Sequence, residues 1–347
     1  MKIKDIDLVN ISRFRGEHMG LAMLFVVLFH VWLPRNDDFY GLRRVGNLGV
    51  DIFLFLSGVG LWFSWTKSLC IVEGQKAKGF FQRWFDFYLR RLIRIYPAWL
   101  VMSSCYYIPP FLKHAHHTTA GWIDLFGDIL INWDFWLHDE LTFWYIPATM
   151  MLYIFAPPYM ELIRRHPVYQ WLVVVMIMWC VLVQYVTPIH SAVGHIEIFW
   201  SRVPIFFLGI NIGEAVKQKR TLDGQSIWMI WIMFIMTLGT SVWLEQMLHG
   251  KFPLFLERLL YIPLTVTTVL LFNRVFRRTP SWFNKFFSIV GVLSLEAYLI
   301  HLHFVLVPLE HYRLGYWLTF ILTIAITIPL AYVLHFLIDK LTKLLYK

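Results

Sequence analysis

The sequence predicts an all-α integral membrane protein, a bundle of about ten transmembrane helices with both termini in the cytoplasm. Its composition is the first reason. Of the 347 residues, 58% are hydrophobic and 15% are charged, and the mean hydropathy is +0.58. A soluble globular domain has about 25% charged residues. The second reason is the series of long apolar segments, and the third is the distribution of basic residues between them.

The apolar segments define the predicted spans. A helix needs about 20 predominantly apolar residues to cross about 30 Å of hydrocarbon. The segments that meet or approach this length lie at residues 18–34, 47–66, 92–112, 141–160, 168–187, 199–216, 226–244, 253–272, 286–307 and 316–338. We find no internal repeat or linker, so we expect a single domain over residues 1–347. The charged stretch Met1–Asn10 predicts no cleavable signal peptide.

The basic residues predict the orientation. With a cytoplasmic N-terminus, 23 of the 31 Lys and Arg residues fall on the cytoplasmic side of the membrane. This asymmetry is what the positive-inside rule describes. The formal net charge of +9 is therefore explained by topology, and we expect no nucleic-acid partner.

The longest predicted outer connection, residues 113–140, is rich in His, Asp and Glu. These residue types bind metals, but their spacing fits no compact ligand pattern. We therefore expect a solvated loop, partly helical over Ile123–Trp133, and no metal site. Three cysteines are too few to suggest a disulfide framework.

Polar residues recur near the outer ends of several predicted spans. An ionisable group inside a membrane is costly and is a candidate functional residue by default. A helix rises about 1.5 Å per residue, so the positions of these residues in their spans predict that they lie within about 5–10 Å of one plane. The residues are His30, Asp51, Trp144, Arg202, Glu257, Arg258 and His301. For Arg202 and Arg258 the alternative is extension to the interface, and for Trp144 it is an ordinary aromatic-belt position. His301 and His303 are two residues apart and should face different sides of their helix.

Arginines mark the cytoplasmic entrance of the third predicted span. Arg91 and Arg94 are three residues apart and share a helix face. Guanidinium groups bind phosphate through a planar fork, so this face suits a phosphorylated cytosolic donor. The alternative is that the positive-inside rule alone places them there. Ser57 and Gly58, midway through the second span, provide close helix packing or a slot for a narrow ligand arm.

The order of these segments resembles the acyltransferase-3 family of bacterial membrane acyltransferases over nearly the whole chain. The matching stretches run from Gly20-Leu21-Ala22 to His30, and then through Gly49-Val50-Asp51 to Ser57-Gly58, Arg91-Leu92-Ile93-Arg94-Ile95-Tyr96-Pro97, Arg202-Val203-Pro204-Ile205-Phe206-Phe207-Leu208-Gly209, and Ser294-Leu295-Glu296-Ala297-Tyr298-Leu299-Ile300-His301. In one place the chain departs from the family pattern, which has a basic residue separated by ten residues from the histidine. Met19 occupies that position here, and we expect Arg15 or Arg13 to replace it.

The resemblance implies an O-acyltransferase in the bacterial cytoplasmic membrane. Such an enzyme moves an acyl group, usually acetyl, from cytosolic acyl-coenzyme A to a hydroxyl of an envelope glycan or glycolipid. His30 is the expected general base, because an imidazole can take the hydroxyl proton at neutral pH. Asp51 is expected to orient His30 or to stabilise its charge, and Arg202 or Trp144 is expected to shape the oxyanion or acceptor pocket. His301 is a further expected catalytic residue. The coenzyme A site is expected at Arg91, Arg94 and Arg15, with the pantetheine arm passing Ser57 and Gly58.

Two other functions remain open from the sequence. A transporter or flippase for a glycan precursor would also need polar residues inside a bundle, although such proteins often contain internal repeats. A membrane scaffold without catalysis is the third alternative. The acceptor, the acyl chain, the choice between monomer and homodimer, and the choice between direct transfer and an acyl-histidine intermediate are not determined by the sequence.

Overall fold

The structure is a computed structural model that describes residues 5–69, 79–114, 118–138, 140–248 and 250–345. It is 85% helical, which confirms the all-α prediction. The helices up to the middle of the chain are α1 (Val9–Arg13), α2 (Arg15–His30), α3 (Tyr40–Val45), α4 (Leu48–Leu69), α5 (Phe80–His114), α6 (Thr119–Ile131), α7 (Trp133–Leu137), α8 (Tyr145–Arg165) and α9 (Leu172–Tyr185). The remaining helices are α10 (Thr187–Val193), α11 (Glu197–Trp200), α12 (Val203–Lys217), α13 (Ser226–Leu248), α14 (Leu254–Arg278), α15 (Ser281–Val292), α16 (Ser294–Ile300), α17 (Val307–Glu310) and α18 (Tyr316–Leu345).

Short elements complete the chain. Two 3₁₀ turns cover Pro167–Trp171 and Gly194–Ile196, and a π-helix over His301–Leu306 joins α16 to α17. The strands β1 (Ile6–Asp7) and β2 (Thr221–Leu222) pair antiparallel, with Ile6 opposite Leu222. This pairing attaches the N-terminal segment to the connection that follows α12.

Several helices are long and apolar enough to cross a membrane, as a multi-pass membrane protein requires. Within the described residues there are six, or up to eight if two bent helix pairs each count as one span. The six are Tyr40–Leu69, Tyr145–Arg165, Pro167–Tyr185, Ser226–Leu248, Leu254–Arg278 and Tyr316–Leu344, and the bent pairs are Thr187–Trp200 with Val203–Lys217 and Ser281–Val292 with Ser294–Glu310. The count of about ten spans and the cytoplasmic termini stay predictions.

The two remaining predicted spans differ from the others for identifiable reasons. The span at 18–34 corresponds to α2, which has only 16 residues. The span at 92–112 is the second part of α5, a helix of 35 residues whose first half contains four arginines. Much of α2 is buried against other helices, so its neighbours are protein side chains rather than lipid, and a continuous apolar surface is not required.

Glycines allow α4 to pack directly against α12. A Cβ atom added to Gly58 would lie 2.3 Å from the carbonyl oxygen of Phe206, and one added to Gly209 would lie 2.2 Å from that of Phe55. Any side chain at either position would separate the helices, and small residues at such crossings are typical of membrane bundles. This contact brings the start of α4, with Asp51, towards Arg202 at the start of α12.

A second glycine contact joins α2 to α15. A Cβ atom added to Gly20 would lie 2.0 Å from the carbonyl oxygen of Phe287, and one added to Gly291 would lie 2.0 Å from that of Gly16. Since α16 and the π-helix follow α15 directly, this contact brings His301 towards the last residue of α2, His30.

The segment at 113–140, predicted as a solvated loop that is partly helical over Ile123–Trp133, is more helical than predicted. Its described residues form α6, which packs on α5, and α7. The Ser103 hydroxyl donates to the Ile129 carbonyl at 3.3 Å, and the Tyr96 hydroxyl donates to the Leu130 carbonyl at 2.9 Å. Ile123 and Phe126 on α6 are exposed, as on a surface that faces lipid rather than water. The prediction gave weight to the charged residues and missed the apolar residues between them. His116, His117 and Asp139 lie outside the described residues.

Candidate active site

The polar residues gather at two ends of the bundle. We call the end with Arg15, Arg91 and Arg94 the arginine end, and the end with His30 and His301 the histidine end. Helix α2 contains both Arg15 and His30. At a rise of about 1.5 Å per residue, these two residues are about 22 Å apart along the helix axis.

The structure brings His30 and His301 together at the histidine end. The Nε2 atom of His301 lies 3.3 Å from Nδ1 of His30, and the two ring centroids are 5.0 Å apart. His301 is 1% exposed and His30 is half-buried. His303 faces another side and packs on the Tyr106 ring, with ring centroids 4.5 Å apart, as the sequence spacing predicted. The π-helix that contains both His301 and His303 is a rare form that recurs at functional sites.

Contacts with backbone carbonyls indicate which ring nitrogen carries the proton in each histidine of the pair. Nδ1 of His30 lies 2.8 Å from the Val26 carbonyl oxygen, and Nδ1 of His301 lies 2.8 Å from that of Tyr298. A carbonyl oxygen only accepts, so each Nδ1 carries a proton and each Nε2 has a lone pair. The lone pair on Nε2 of His301 lies 3.3 Å from the same Nδ1 of His30, so the Val26 carbonyl and His301 share this one proton as acceptors. The lone pair on Nε2 of His30 is the one left to take a proton from another molecule.

Asp51 and Arg202 form a second buried pair. Arg202 Nη2 lies 3.6 Å from Asp51 Oδ2, and the two residues are 1% and 0% exposed. The Arg202 guanidinium carbon lies 5.9 Å from the centroid of the Trp144 ring, which is also buried. The interfacial alternatives for Arg202 and Trp144 are therefore wrong. Asp51 does not orient His30 by a direct hydrogen bond in the described residues, because the charged partner of Asp51 is Arg202 and the hydrogen-bond partners of His30 are Val26 and His301. A charge effect of Asp51 on His30 stays a prediction.

More acids and arginines are buried near Arg202. The Tyr261 ring centroid lies 6.0 Å from the Arg202 guanidinium carbon, and the Tyr261 hydroxyl donates to Glu257 at 2.7 Å. Arg258 forms an ion pair with Glu197, so it does not simply extend to the interface. This network holds the start of α14 against the helices that carry Asp51 and Arg202.

A cavity of about 610 Å³ extends from the arginine end towards the histidine pair. Arg15, Arg90, Arg91 and Arg94 line it at one end, Ser57 and Gly60 lie midway along α4, and Phe53, Tyr145 and Tyr298 line the other end. Tyr298 is one helical turn from His301, and their ring centroids are 5.8 Å apart. Arg91 is held in place, since its guanidinium carbon lies 3.9 Å from the Phe87 ring centroid and its Nη1 donates to the Phe87 carbonyl at 3.2 Å.

Arg15 lines the same cavity as Met19, the position at which the chain lacks the basic residue of the family pattern. Met19 and Arg15 are one turn apart on α2, and both line the cavity. Arg13, the other candidate, packs instead on the Phe14 ring, with its guanidinium carbon 5.4 Å from the ring centroid. Of the two candidates for the missing basic group, Arg15 is therefore the one that faces the same space as Met19.

Gly58 differs from its predicted role. It contacts α12 through Phe206, while Ser57 and Gly60 border the cavity. Of the two functions that the sequence left open for this pair, Gly58 serves helix packing and Ser57 lies beside the slot.

Three tyrosines in the cavity wall were not predicted from the sequence: Tyr145, Tyr153 and Tyr298. Tyr298 belongs to the same segment as His301 and is three residues before it, so the shared helix face was the available signal. Tyr145 and Tyr153 lack such a signal. They reach the cavity because α8 packs beside α4, which only the tertiary structure reveals.

A cluster of acids lies in the segment that the sequence treated as a loop. Carboxylate oxygens of Asp124, Asp128 and Asp134 lie within 4.8 Å of one another. Burial raises the pKa of Asp128 to about 7, although the backbone N–H of Asp134 donates to its carboxylate. Carboxylates at such distances can hold a cation, and the expectation of no metal stays a prediction.

Residues 20–336 match the sequence model of the acyltransferase-3 family, described as an acyltransferase domain. The chain belongs to this family. The match covers nearly the whole chain and includes both histidines, the Asp51–Arg202 pair and the arginines at Arg91 and Arg94. Membership of this family indicates that the chain is an acyltransferase.

A curated relative is the "Regulator of hypoxia-inducible factor 1" of Caenorhabditis elegans, which is 26% identical over 190 residues. The match covers 47% of this chain and 35% of the relative, so the chain spans about a third of the relative's length. Its name describes a regulator and names no acyl reaction. No solved structure matches the chain.

Proposed function

We propose that this member of the acyltransferase-3 family is a membrane O-acyltransferase. It transfers an acyl group, acetyl in the simplest case, from acyl-coenzyme A at the arginine end to an acceptor hydroxyl at the histidine end. The observation that carries this proposal is the cavity, because it begins among four arginines and ends at Tyr298, beside the histidine pair. A donor bound there would place its phosphates and its thioester at opposite ends of the same space.

The cavity wall suits the chemistry of acyl-coenzyme A. Arginine forks bind phosphate oxygens in a bidentate manner, and Arg91 is already oriented by Phe87. Besides the arginines, Ser57 and Gly60 of α4 line the cavity, and a Cβ atom added to Gly60 would lie 3.4 Å from Nε of Arg15. The absence of a side chain at Gly60 leaves room beside Arg15 for a thin chain such as a pantetheine arm, which has two amide groups.

In the proposed reaction His30 is the general base. Nε2 of His30 takes the proton of the acceptor hydroxyl while the hydroxyl oxygen forms a bond to the thioester carbon. The C–S bond then breaks, and the thiolate leaves and regains a proton from the imidazolium. His301 stabilises that imidazolium, since its lone pair faces the Nδ1–H of His30. The Tyr145 and Tyr298 side chains lie at this end of the cavity, where hydrogen-bond donors would stabilise the oxyanion.

The same lone pair of His30 also permits a two-step route. In that route Nε2 attacks the thioester carbon, and an acyl-histidine intermediate then reacts with the acceptor. The routes differ in whether acyl-coenzyme A alone labels the protein. We propose direct transfer as the simpler case.

The arginine end gives a direct test of donor binding. We expect Arg91→Ala and Arg94→Ala each to weaken acyl-coenzyme A binding, since a charged hydrogen bond contributes about 1.5–3 kcal/mol. Lysine at either position should restore binding only in part, because it lacks the planar fork. Calorimetry or a fluorescent donor analogue measures the effect in detergent-solubilised protein. Arg278→Ala, which removes an exposed cation outside the cavity, is the matched control.

Unchanged affinity in both alanine variants would mean that Arg91 and Arg94 only determine topology. A loss of affinity together with a loss of thermal stability would instead indicate a structural role, which the lysine variants would then separate from binding.

For the acceptor and the compartment, we propose a hydroxyl of an envelope glycan or glycolipid and the bacterial cytoplasmic membrane. The arginine end would then face the cytosol, where coenzyme A is made. The exposed apolar side chains of helices such as α9, α13 and α18 would contact membrane lipids. We expect no nucleic-acid partner.

A further inference from the structure

A second cavity lies next to the first at the arginine end. Its volume is about 430 Å³, and it lies between α2, α5, α15, α16 and α18. The two cavities share four wall residues, which are Arg15, Met19, Arg94 and Leu295. A ligand that reaches from one cavity to the other would therefore pass two guanidinium groups.

An acid with one unused oxygen lies in the wall of the second cavity. Glu296 is 4% exposed, and its Oε1 lies 2.8 Å from Nδ1 of His335, which also lines this cavity. The other oxygen, Oε2, is buried and has no hydrogen-bond partner in the described part of the chain. A buried carboxylate oxygen without a donor is unfavourable. The site is thus suited to a ligand that brings an N–H or O–H group.

The rest of the wall contains apolar residues together with Asp339 and Thr342. Met19, Ile93, Leu295 and Ile338 provide apolar surface, against which the faces of a heteroaromatic ring can pack. A purely apolar ligand would leave Glu296 Oε2 without a donor, and an anion alone would be repelled by the same carboxylate.

The chemistry along the two cavities follows one order. The first cavity offers the hydroxyl groups of Ser57 and of three tyrosines, the shared wall offers Arg15 and Arg94, and the second cavity offers apolar side chains and the Glu296 carboxylate. A nucleotide-linked thioester has the same order of groups: an acyl-pantetheine arm, a diphosphate, and a purine with an exocyclic amine.

From this match we infer that the second cavity binds the nucleotide end of the acyl donor, with the adenine amine donating to Glu296. The inference rests on the proposed function, and it adds that the enzyme recognises the nucleotide and not only the pantetheine arm. The diphosphate lies at Arg15 and Arg94, and His335 holds the Glu296 side chain in position through Oε1.

The test compares two donors on the same protein. Acetyl-coenzyme A contains the adenine nucleotide, whereas the acetyl thioester of 4′-phosphopantetheine lacks it. We expect the unmodified protein to bind the complete donor at least about tenfold more tightly, the effect of one hydrogen bond to a charged group. Adenosine 3′,5′-bisphosphate, which is the nucleotide end alone, should compete with acetyl-coenzyme A.

Glu296→Leu should remove most of this preference. It should weaken binding of acetyl-coenzyme A by about tenfold and leave the affinity for the truncated donor unchanged, while Glu296→Gln, which keeps an acceptor oxygen, should fall between. Glu214→Leu is the matched control, since Glu214 is also on a helix near the arginine end but lines neither cavity. The truncated donor shows in each variant that the first cavity is intact.

Equal affinity of the unmodified protein for both donors would overturn the inference and leave the proposed function in place, and this comparison needs no variant. A Glu296→Leu protein that keeps the full preference would also overturn it. If the unmodified protein binds neither donor, the proposed function itself fails.

Discussion

Replacing His30 by alanine should lower the rate of acyl transfer by about 10²–10⁴-fold, the usual cost of removing a general base. Donor binding should be unchanged, because His30 lies about 22 Å along α2 from Arg15 and is not among the residues that line the donor cavity. The measurement is transfer of labelled acetyl groups, with donor affinity and thermal stability measured on the same preparation.

The glutamine variant separates catalysis from packing. The amide of His30→Gln can still donate to the Val26 carbonyl and to His301, but it cannot accept a proton at neutral pH. We therefore expect it to be stable and as inactive as the alanine variant. His311→Gln is the matched control, since His311 also lies with its Nδ1 2.9 Å from a carbonyl oxygen four residues earlier, that of Val307, yet it is exposed.

The partner residue His301 and the pH dependence of the rate give two further tests of His30 as the base. His301→Gln should reduce the rate less than His30→Ala, and the double variant should be no slower than His30→Ala alone, because residues that act as a unit are not additive. The rate should fall as the pH decreases through the pKa of the base, since a protonated imidazole has no lone pair. An active, stable His30→Gln enzyme would exclude His30 as the base.

Removing Asp51 should produce the largest loss of stability. Asp51 and Arg202 are almost completely buried, and breaking a buried ion pair by deleting one partner costs about 3–5 kcal/mol because the other charge is left without compensation. Asp51→Ala should therefore unfold at a clearly lower temperature in detergent. Ser57→Ala, on the same helix and bordering the cavity, should change stability much less.

A double variant distinguishes structure from chemistry at this pair. Replacement of both partners by apolar residues, Asp51→Leu with Arg202→Met, should restore much of the stability, since such exchanges are often neutral or stabilising. If the pair only holds α4 against α12, the restored protein should also regain acyl transfer. A stable but inactive double variant would show that Asp51 or Arg202 acts on the substrate. A single Asp51→Ala variant as stable as the unmodified protein would contradict the assigned ion pair.

The sequence predicted the helical class and the main polar residues because both depend on local patterns. Apolar segments of about 20 residues are visible without tertiary information, and the equal depth of His30 and His301 follows from counting residues along two helices. The same counting could not pair the residues. It connected Asp51 with His30, whereas the glycine contacts between α4 and α12 and between α2 and α15 rotate Asp51 towards Arg202 and His30 towards His301.

Other misses have the same cause. Ser57 and Gly58 are adjacent in the sequence, but only their helix neighbours decide that the first borders the cavity and the second packs on α12. Glu296 lies in a stretch that resembles the family, but the sequence does not show its contact with His335, which is 39 residues away. Helix α6 was predicted only as a helical stretch within a solvated loop, because the sequence does not show that α5 supplies hydroxyl donors for the last carbonyls of α6.

The central claim is that an acyl group enters at the arginine end and leaves at the histidine end, and sealed inverted membrane vesicles test it most directly. In these vesicles the cytoplasmic surface faces outward, and the native envelope acceptors remain inside. When labelled acetyl-coenzyme A is added outside, we predict that label accumulates in glycan that is inaccessible to external hydrolases. This accumulation should depend on His30 and Arg91 and should not occur with His30→Ala. If the unmodified protein gives no more internal label than His30→Ala, or if label appears only when the donor is supplied outside right-side-out vesicles, the proposed direction and function are contradicted.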